Sequence, residues 1–146
     1  MEIKTQITIN TTPDKIWAVL TDFENYPSWN PFIKKIIGQP KAGSQITVSI
    51  APPKGKGMTF KPTVLTFEHN KEFSWIGKLF FKGLFDGQHK FELLDNENGT
   101  TTFNHGEAFS GILVNLFKKQ LESTQDGFEL MNLHLKKYVE EKVVKI

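Results

Sequence analysis

The sequence predicts an α+β fold in which one curved antiparallel sheet carries a single long helix across its face. Seven segments alternate apolar and polar residues, the period-two signature of half-buried strands. Short loops join them in sequence order, so neighbours are expected to pair antiparallel. Residues 112–142 repeat apolar side chains every three or four positions instead, which is one amphipathic helix with one stripe to bury. A strongly curved sheet and a straight helix cannot touch everywhere. The gap left between them is where function is expected.

Residues 2–10 set Ile3, Thr5, Ile7 and Ile9 against Glu2, Lys4, Gln6 and Thr8, a first strand. Thr12 as N-cap and Pro13 at the first helical position start a short helix whose apolar face is Ile16, Trp17, Val19 and Leu20. Residues 22–32 hold two prolines and two asparagines, room for one more short helix between turns. Strands are expected at 35–37 and 44–50, then a Pro/Gly/Lys-rich loop at 51–57. Residues 58–68 and 72–79 form a hairpin around His69-Asn70-Lys71, a break follows at 80–84, and residues 85–94 and 101–109 form a second hairpin. The helical stripe then runs through Leu113, Phe117, Gln120, Leu121, Thr124, Phe128, Met131, Leu135 and Tyr138. Gly127 interrupts it at a cost of about 1 kcal/mol relative to alanine, which fits a bend or the close approach of something bulky.

At 146 residues and 16.7 kDa the chain has the length of one domain, expected to span 1–146. Thirteen phenylalanines imply a large apolar interior and exclude disorder. The charge is balanced at +2, and all 18 basic residues are lysines. Without an arginine-rich basic face, no nucleic-acid partner is expected. No apolar run is long enough to cross a bilayer, and residues 1–4 lack the apolar core of a secretory signal, so a cytoplasmic protein is expected. Cysteine is absent, which removes disulfides, thiolate catalysis and cysteine-ligated metal sites.

Pro13-x-x-x-Trp17-x-x-Leu20-x-Asp22-Phe23-x-x-Tyr26-Pro27-x-Trp29-Asn30-Pro31-Phe32 resembles the opening signature of the polyketide cyclase/dehydrase-like branch of the START (SRPBCC, birch-pollen-allergen-like) superfamily. Gly83-Leu84-Phe85-Asp86-Gly87-x-His89-x-Phe91, Phe103-x-His105-x-Glu107-x-Phe109-x-Gly111 and Gly127-Phe128-Glu129-x-Met131-Asn132 agree with it. The resemblance covers nearly the whole chain. It implies the helix-grip fold: a seven-stranded antiparallel sheet wrapped around a long C-terminal helix, enclosing a pocket for hydrophobic small molecules. Lipid carriers, hormone-binding proteins and aromatase/cyclases share that fold, so the fold alone does not choose among them.

Period two also says which polar residues face inward. On 85–93 the apolar face is Phe85, Gly87, Phe91 and Leu93, and it carries His89. On 101–109 it is Phe103 and Phe109, and it carries His105 and Glu107. Any register that keeps both faces inside shifts by two. A turn centred on Glu97 sets His89 opposite His105, and a two-residue slip sets it opposite Glu107. A buried carboxyl needs a partner, so a His–Glu contact is expected, with Gly87 leaving room beside it. Such a trio suits acid/base chemistry or a His/His/Glu metal site, but its ordinary role is a hydrogen-bonded cluster that orients a ligand. No metal and no cofactor is expected.

The expected partner is one hydrophobic small molecule, such as a lipid, quinone, sterol or aromatic polyketide-like compound. Met58, Phe60 and Trp75 would line its cavity from the first hairpin; Phe85, Phe91, Phe103 and Phe109 from the second; Phe117 and Phe128 from the helix. His89, His105 and Glu107 would meet its polar end, with Gln120 and Thr124 across the cavity or at its mouth. The alternatives are a cofactor-independent cyclase or dehydratase using His89, His105 or Glu107, and a protein- or membrane-interaction module using Lys54, Lys56 and Lys61. Trp29 and Phe32 are expected to pack the short-helix segment rather than touch ligand, and His69 and His134 to be exposed. Catalysis is not the favoured reading, and the protein is expected to be a monomer or homodimer.

Overall fold

The structure, a computed structural model, describes residues 1–79 and 85–143; the break expected at 80–84 lies outside the described residues. β1 (Glu2–Ile9) leads into α1 (Pro13–Leu20), a 3₁₀ turn (Phe23–Asn25) and the single-turn α2 (Tyr26–Trp29). β2 (Ile33–Ile37), β3 (Thr47–Ile50), β4 (Met58–Phe60), β5 (Thr63–Glu68), β6 (Glu72–Leu79), β7 (Phe85–Asp95) and β8 (Thr101–Ser110) follow. A 3₁₀ turn (Val114–Phe117) opens α3 (Lys118–Tyr138), which widens into a π turn over Val139–Val143. This is the helix-grip arrangement, with α3 laid against β1 and the antiparallel sheet curved around it.

The strand count differs from seven because one expected strand is two. Pro62 has no N–H to give to a ladder, and at Lys61-Pro62 the chain bends, dividing β4 from β5. Among the described residues the strands therefore form a five-stranded sheet, β1-β8-β7-β6-β5, and a three-stranded sheet, β2-β3-β4. The two remain stitched at the bend. Ile46 N–H donates to the Pro62 carbonyl at 3.0 Å, and Ser44 and Val64 are bonded through Val64 N–H at 2.8 Å. Counting β4 and β5 as one bent strand gives seven strands on one continuous curved surface.

Local chemistry places the rest. Pro13 occupies the first turn of α1 as expected, but the Thr12 hydroxyl donates to the Asp14 carboxylate rather than accepting from the helix backbone. Asn30 ends α2 and holds the start of β2, its Oδ1 accepting from the N–H groups of Phe32 (3.0 Å) and Ile33 (2.8 Å). In the turn between β7 and β8, Glu97 and Gly99 both take positive φ, 60° and 87°. That five-residue loop pairs Asp95 with Thr101 and centres the hairpin on Asn98. The register is thus the slipped one: His89 stands opposite Glu107, and Phe91 opposite His105.

The interior is aromatic. Phe73, Phe91, Phe103 and Phe128 are fully buried, and Trp75 is 2% exposed. Trp29 packs the short-helix segment as expected, its ring 5.2 Å from Tyr26, and also stacks 6.2 Å from Tyr138 of α3. His69 and His134 are exposed.

Candidate functional site

The core is not filled throughout. A cavity of about 340 Å³ lies between the sheet and the start of α3. Ile33, Ile50, Met58 and Phe60 close it from the three-stranded side. Trp75, Gly77, Phe85 and Phe109 form its floor. Phe117, Leu121 and Thr124 form its roof, and Gln120 and Lys78 are exposed at its edge. A wider depression of about 660 Å³ occupies the outer face of β1, β8 and β7, but it is open and edged by Glu2, Lys4, Lys90 and Glu92. The inner cavity is the apolar one, set between sheet and helix and partly open at its edge, the form small-molecule sites take.

Of the side chains expected to line a cavity, Met58, Phe60, Trp75, Phe85, His89, Glu107, Phe109, Phe117, Gln120 and Thr124 do so. Phe91, Phe103, His105 and Phe128 do not. Each has zero exposure and belongs to the packed core behind the cavity's inner wall, because α3 closes on the sheet from Gly127 onward. Phe32 corrects an expectation in the other direction. It lines the cavity and also packs edge-on against Phe128 at 5.4 Å. A Cβ on Gly127 would collide with the Phe32 ring, so this glycine serves a close approach. The Thr124 hydroxyl donates to the Gln120 carbonyl at 2.9 Å, within its own helix rather than across the cavity.

The polar cluster sits at the cavity's inner end. His89 Nδ1 and Glu107 Oε1 are 2.9 Å apart, and their side chains are 4% and 17% exposed. Gly87 makes this geometry feasible: a Cβ there would overlap Glu107 Oε2. Behind His89 the chain continues, with His89 Nε2 to His105 Nε2 at 2.9 Å and His105 Nδ1 to Asn132 Oδ1 at 2.9 Å. Asn132 Nδ2 donates to Thr5 Oγ1 at 2.8 Å, and Thr5 Oγ1 donates to the His105 carbonyl at 2.7 Å. The rings are clamped by stacking, His89 on Trp75 with centroids 4.5 Å apart and His105 on Phe128 at 4.0 Å. Reading the residues had not singled out Thr5 or Asn132 as site residues. Thr5 lies on the apolar face of β1, and Asn132 falls four residues after Phe128 on the buried stripe of α3; a polar residue on an apolar face was the available signal.

Burial sets the charges. It pushes the Glu107 carboxyl up to about 8 and the His89 imidazole down to about 3. His105 is held well below the usual histidine value, first by burial and then by His89, against smaller opposing pulls from Asn132 and the Phe128 backbone. The cluster is therefore neutral near pH 7, with a carboxylic acid facing an imidazole. Its nitrogens are directed at one another along a line. Among the described residues, no three His, Asp or Glu side chains converge as metal ligands. Among the described residues, no helix is long and apolar enough to cross a membrane.

Residues 1–140 match the family described as polyketide cyclase / dehydrase and lipid transport. Among curated proteins, none matches the sequence significantly. Among solved structures the chain is similar to a START superfamily protein from Mycobacterium smegmatis (17% identity, TM-score 0.74), covering 96% of this chain and 97% of that one. It is similar to the protein MLL2253 from Mesorhizobium loti (18%, TM-score 0.75; 97% and 98% covered). It is also similar to the Zhui aromatase/cyclase from Streptomyces sp. R1128 (11%, TM-score 0.77; 98% and 95% covered). At these identities the likeness is one of fold.

Proposed function

The chain belongs to the polyketide cyclase / dehydrase and lipid transport family, and from that premise we propose that it binds one hydrophobic small molecule between its sheet and α3. The observation that carries this reading is an apolar cavity between sheet and helix with a neutral acid–imidazole pair, Glu107 and His89, at its inner end. Ligand pockets run from about 300 to 1,000 Å³. At about 340 Å³ this one suits a compact ligand of a few rings or one short chain, not a two-chain lipid. Burying about 200 Å² of apolar ligand surface contributes about 5 kcal/mol. Micromolar affinity requires about 8 kcal/mol, so the polar end must hold the ligand as well.

Trp75 lines the cavity and supplies the signal. Its fluorescence, followed while compact lipids, quinones, sterols and aromatic polyketide-like compounds are titrated in, is expected to saturate with one molecule per chain for some of them. Silence across the panel, together with no lipophile carried by the purified protein in native mass spectrometry, would refute the reading.

Cofactor-independent cyclisation or dehydration is a second reading with one observation in its favour. Glu107 is held protonated into the neutral range, the state a general acid needs. Under that reading Glu107→Gln abolishes turnover of a polyketone while leaving its binding intact.

A further inference from the structure

The hydrogen bonds around Glu107 have only one possible direction, and that direction selects a ligand. Thr5 Oγ1 lies 2.7 Å from the His105 carbonyl oxygen. Two oxygens that close share a proton, and a carbonyl has none to give, so the Thr5 hydroxyl donates. With its one hydrogen spent, Thr5 Oγ1 must accept from Asn132, which turns the Asn132 amide nitrogen towards Thr5 and its oxygen towards His105. His105 Nδ1 therefore carries a hydrogen. In a neutral His105 the other nitrogen, Nε2, is then a bare acceptor, and His89 Nε2 must donate to it. Whether His89 Nδ1 receives a proton from Glu107 or has already taken it, the shared proton lies between Nδ1 and Oε1. Glu107 Oε2 is left with lone pairs only.

We propose that the cavity selects compact apolar molecules bearing a hydroxyl, alcohols and phenols, whose O–H donates to Glu107 Oε2, and discriminates against acceptor-only ketones, ethers and quinones and against carboxylates. The inference rests on the binding role of the cavity. It narrows that role to a donor-bearing ligand class. Turning Glu107 round so that Oε2 donates would set Oε1 against the lone pair of His89 Nδ1. Relieving that clash requires both imidazoles to change tautomer and Asn132 to flip, and the Thr5–carbonyl contact forbids the last step. Trp75 and Phe128, stacked on the two imidazoles, oppose their rotation. A carboxylate ligand would bring a second set of lone pairs against Oε2. Among the described residues the one cation at the cavity, Lys78, is exposed at its edge.

Two measurements test this. In the unliganded protein, long-range proton–nitrogen NMR of the imidazoles is expected to show His105 protonated at Nδ1 and His89 protonated at Nε2. The opposite tautomer at His105 overturns the proposal without any ligand. In the second, 2-naphthol, 2-methoxynaphthalene and 2-naphthoate are titrated, with Trp75 emission as the readout. The naphthol is expected to bind about tenfold more tightly than the ether, the worth of one added hydrogen bond, and the naphthoate more weakly than either. An ether or naphthoate that binds as well as the naphthol overturns the ligand class. If none of the three binds while the tautomers are as stated, the binding role fails and the hydrogen-bond polarity stands. Glu107→Gln sharpens the test. Its amide nitrogen can donate to His89 and its oxygen can accept from the ligand, so the naphthol preference is expected to survive within about threefold. Glu107→Leu is expected to erase it, and a preference retained in that variant counts against the proposal.

Discussion

From Gly127 onward α3 is core: Phe128, Met131 and Leu135 have zero exposure, as does Val139 in the turn beyond. Before Gly127, Leu121 is the only buried residue of the same helix, and Phe117 and Thr124 are half-buried above the cavity. One continuous stripe at three- and four-residue spacing thus does two different things. The difference lies beneath the helix rather than in it. His89 and His105 rise from the sheet to meet Phe128 and Asn132 in the second half. Gly77 and Gly87, without side chains, line the cavity beneath the first half, where the nearest group to a Cβ would be the Phe60 ring over Gly77 and the Glu107 carboxyl over Gly87. The helix is a lever anchored at its C-terminal half, with its N-terminal half laid over a hollow.

The largest expected effect breaks the anchor. Phe128→Ala removes a fully buried ring that also stacks on His105, and is expected to cost about 3–5 kcal/mol in urea denaturation. Phe117→Ala, over the hollow, is expected to cost about 1 kcal/mol or less, since its ring is only half-buried. Equal costs would erase the distinction between the two halves. Gly127→Ala comes next. Helix propensity favours alanine by about 1 kcal/mol, but the new Cβ collides with the Phe32 ring. Overpacking costs about 1–3 kcal/mol, so net destabilisation is expected, and a stabilised variant would show that α3 can lift away from Phe32 freely.

The most gradual effect is the pH profile of the cluster at the junction. Glu107, raised to about 8, keeps its proton in the folded chain between pH 4.5 and 8 while the unfolded chain loses it, so stability falls as pH rises through that window. His89, lowered to about 3, and His105, also lowered, are neutral when folded but protonated when unfolded below 6.5, so stability falls as pH drops below 6.5. Two histidines outweigh one acid where the windows overlap. Stability is expected to peak near pH 6.5, with slopes of at most about 1.4 kcal/mol per pH unit between pH 4.5 and 8. Denaturation midpoints across this range check it. In Glu107→Gln the alkaline decline should vanish, and its persistence would assign that slope to another group.

Much of this was legible in the chain. Alternation on 85–93 and 101–109 placed His89, His105 and Glu107 on inward faces, and Gly87 marked the space the carboxyl occupies. Register was not legible, because every even shift keeps the same faces inside. The positive φ of Glu97 and Gly99 makes that choice, and a composition of Asn, Glu and Gly permits several loops. The extent of the hollow was not legible either. Phe91, Phe103, His105 and Phe128 share their faces with true cavity residues, and only the point at which α3 meets the sheet separates them. Phe32 was hidden for the opposite reason: it belongs to a turn-rich segment by sequence but reaches the cavity because Gly127 admits it. Asn132 and Thr5 escaped because each sits on an otherwise apolar face, where a single polar residue gives no hint of which distant strand or helix holds its partner.

Asn132 and Thr5 are 127 positions apart along the chain. Closing so long a loop is entropically slow, whereas the β7–β8 ladder closes over five residues. Orientation of the histidines therefore awaits the meeting of first strand and last helix. Trimming the amino-terminal strand would scramble which atoms give and which receive protons long before it unzipped the hairpin that displays them.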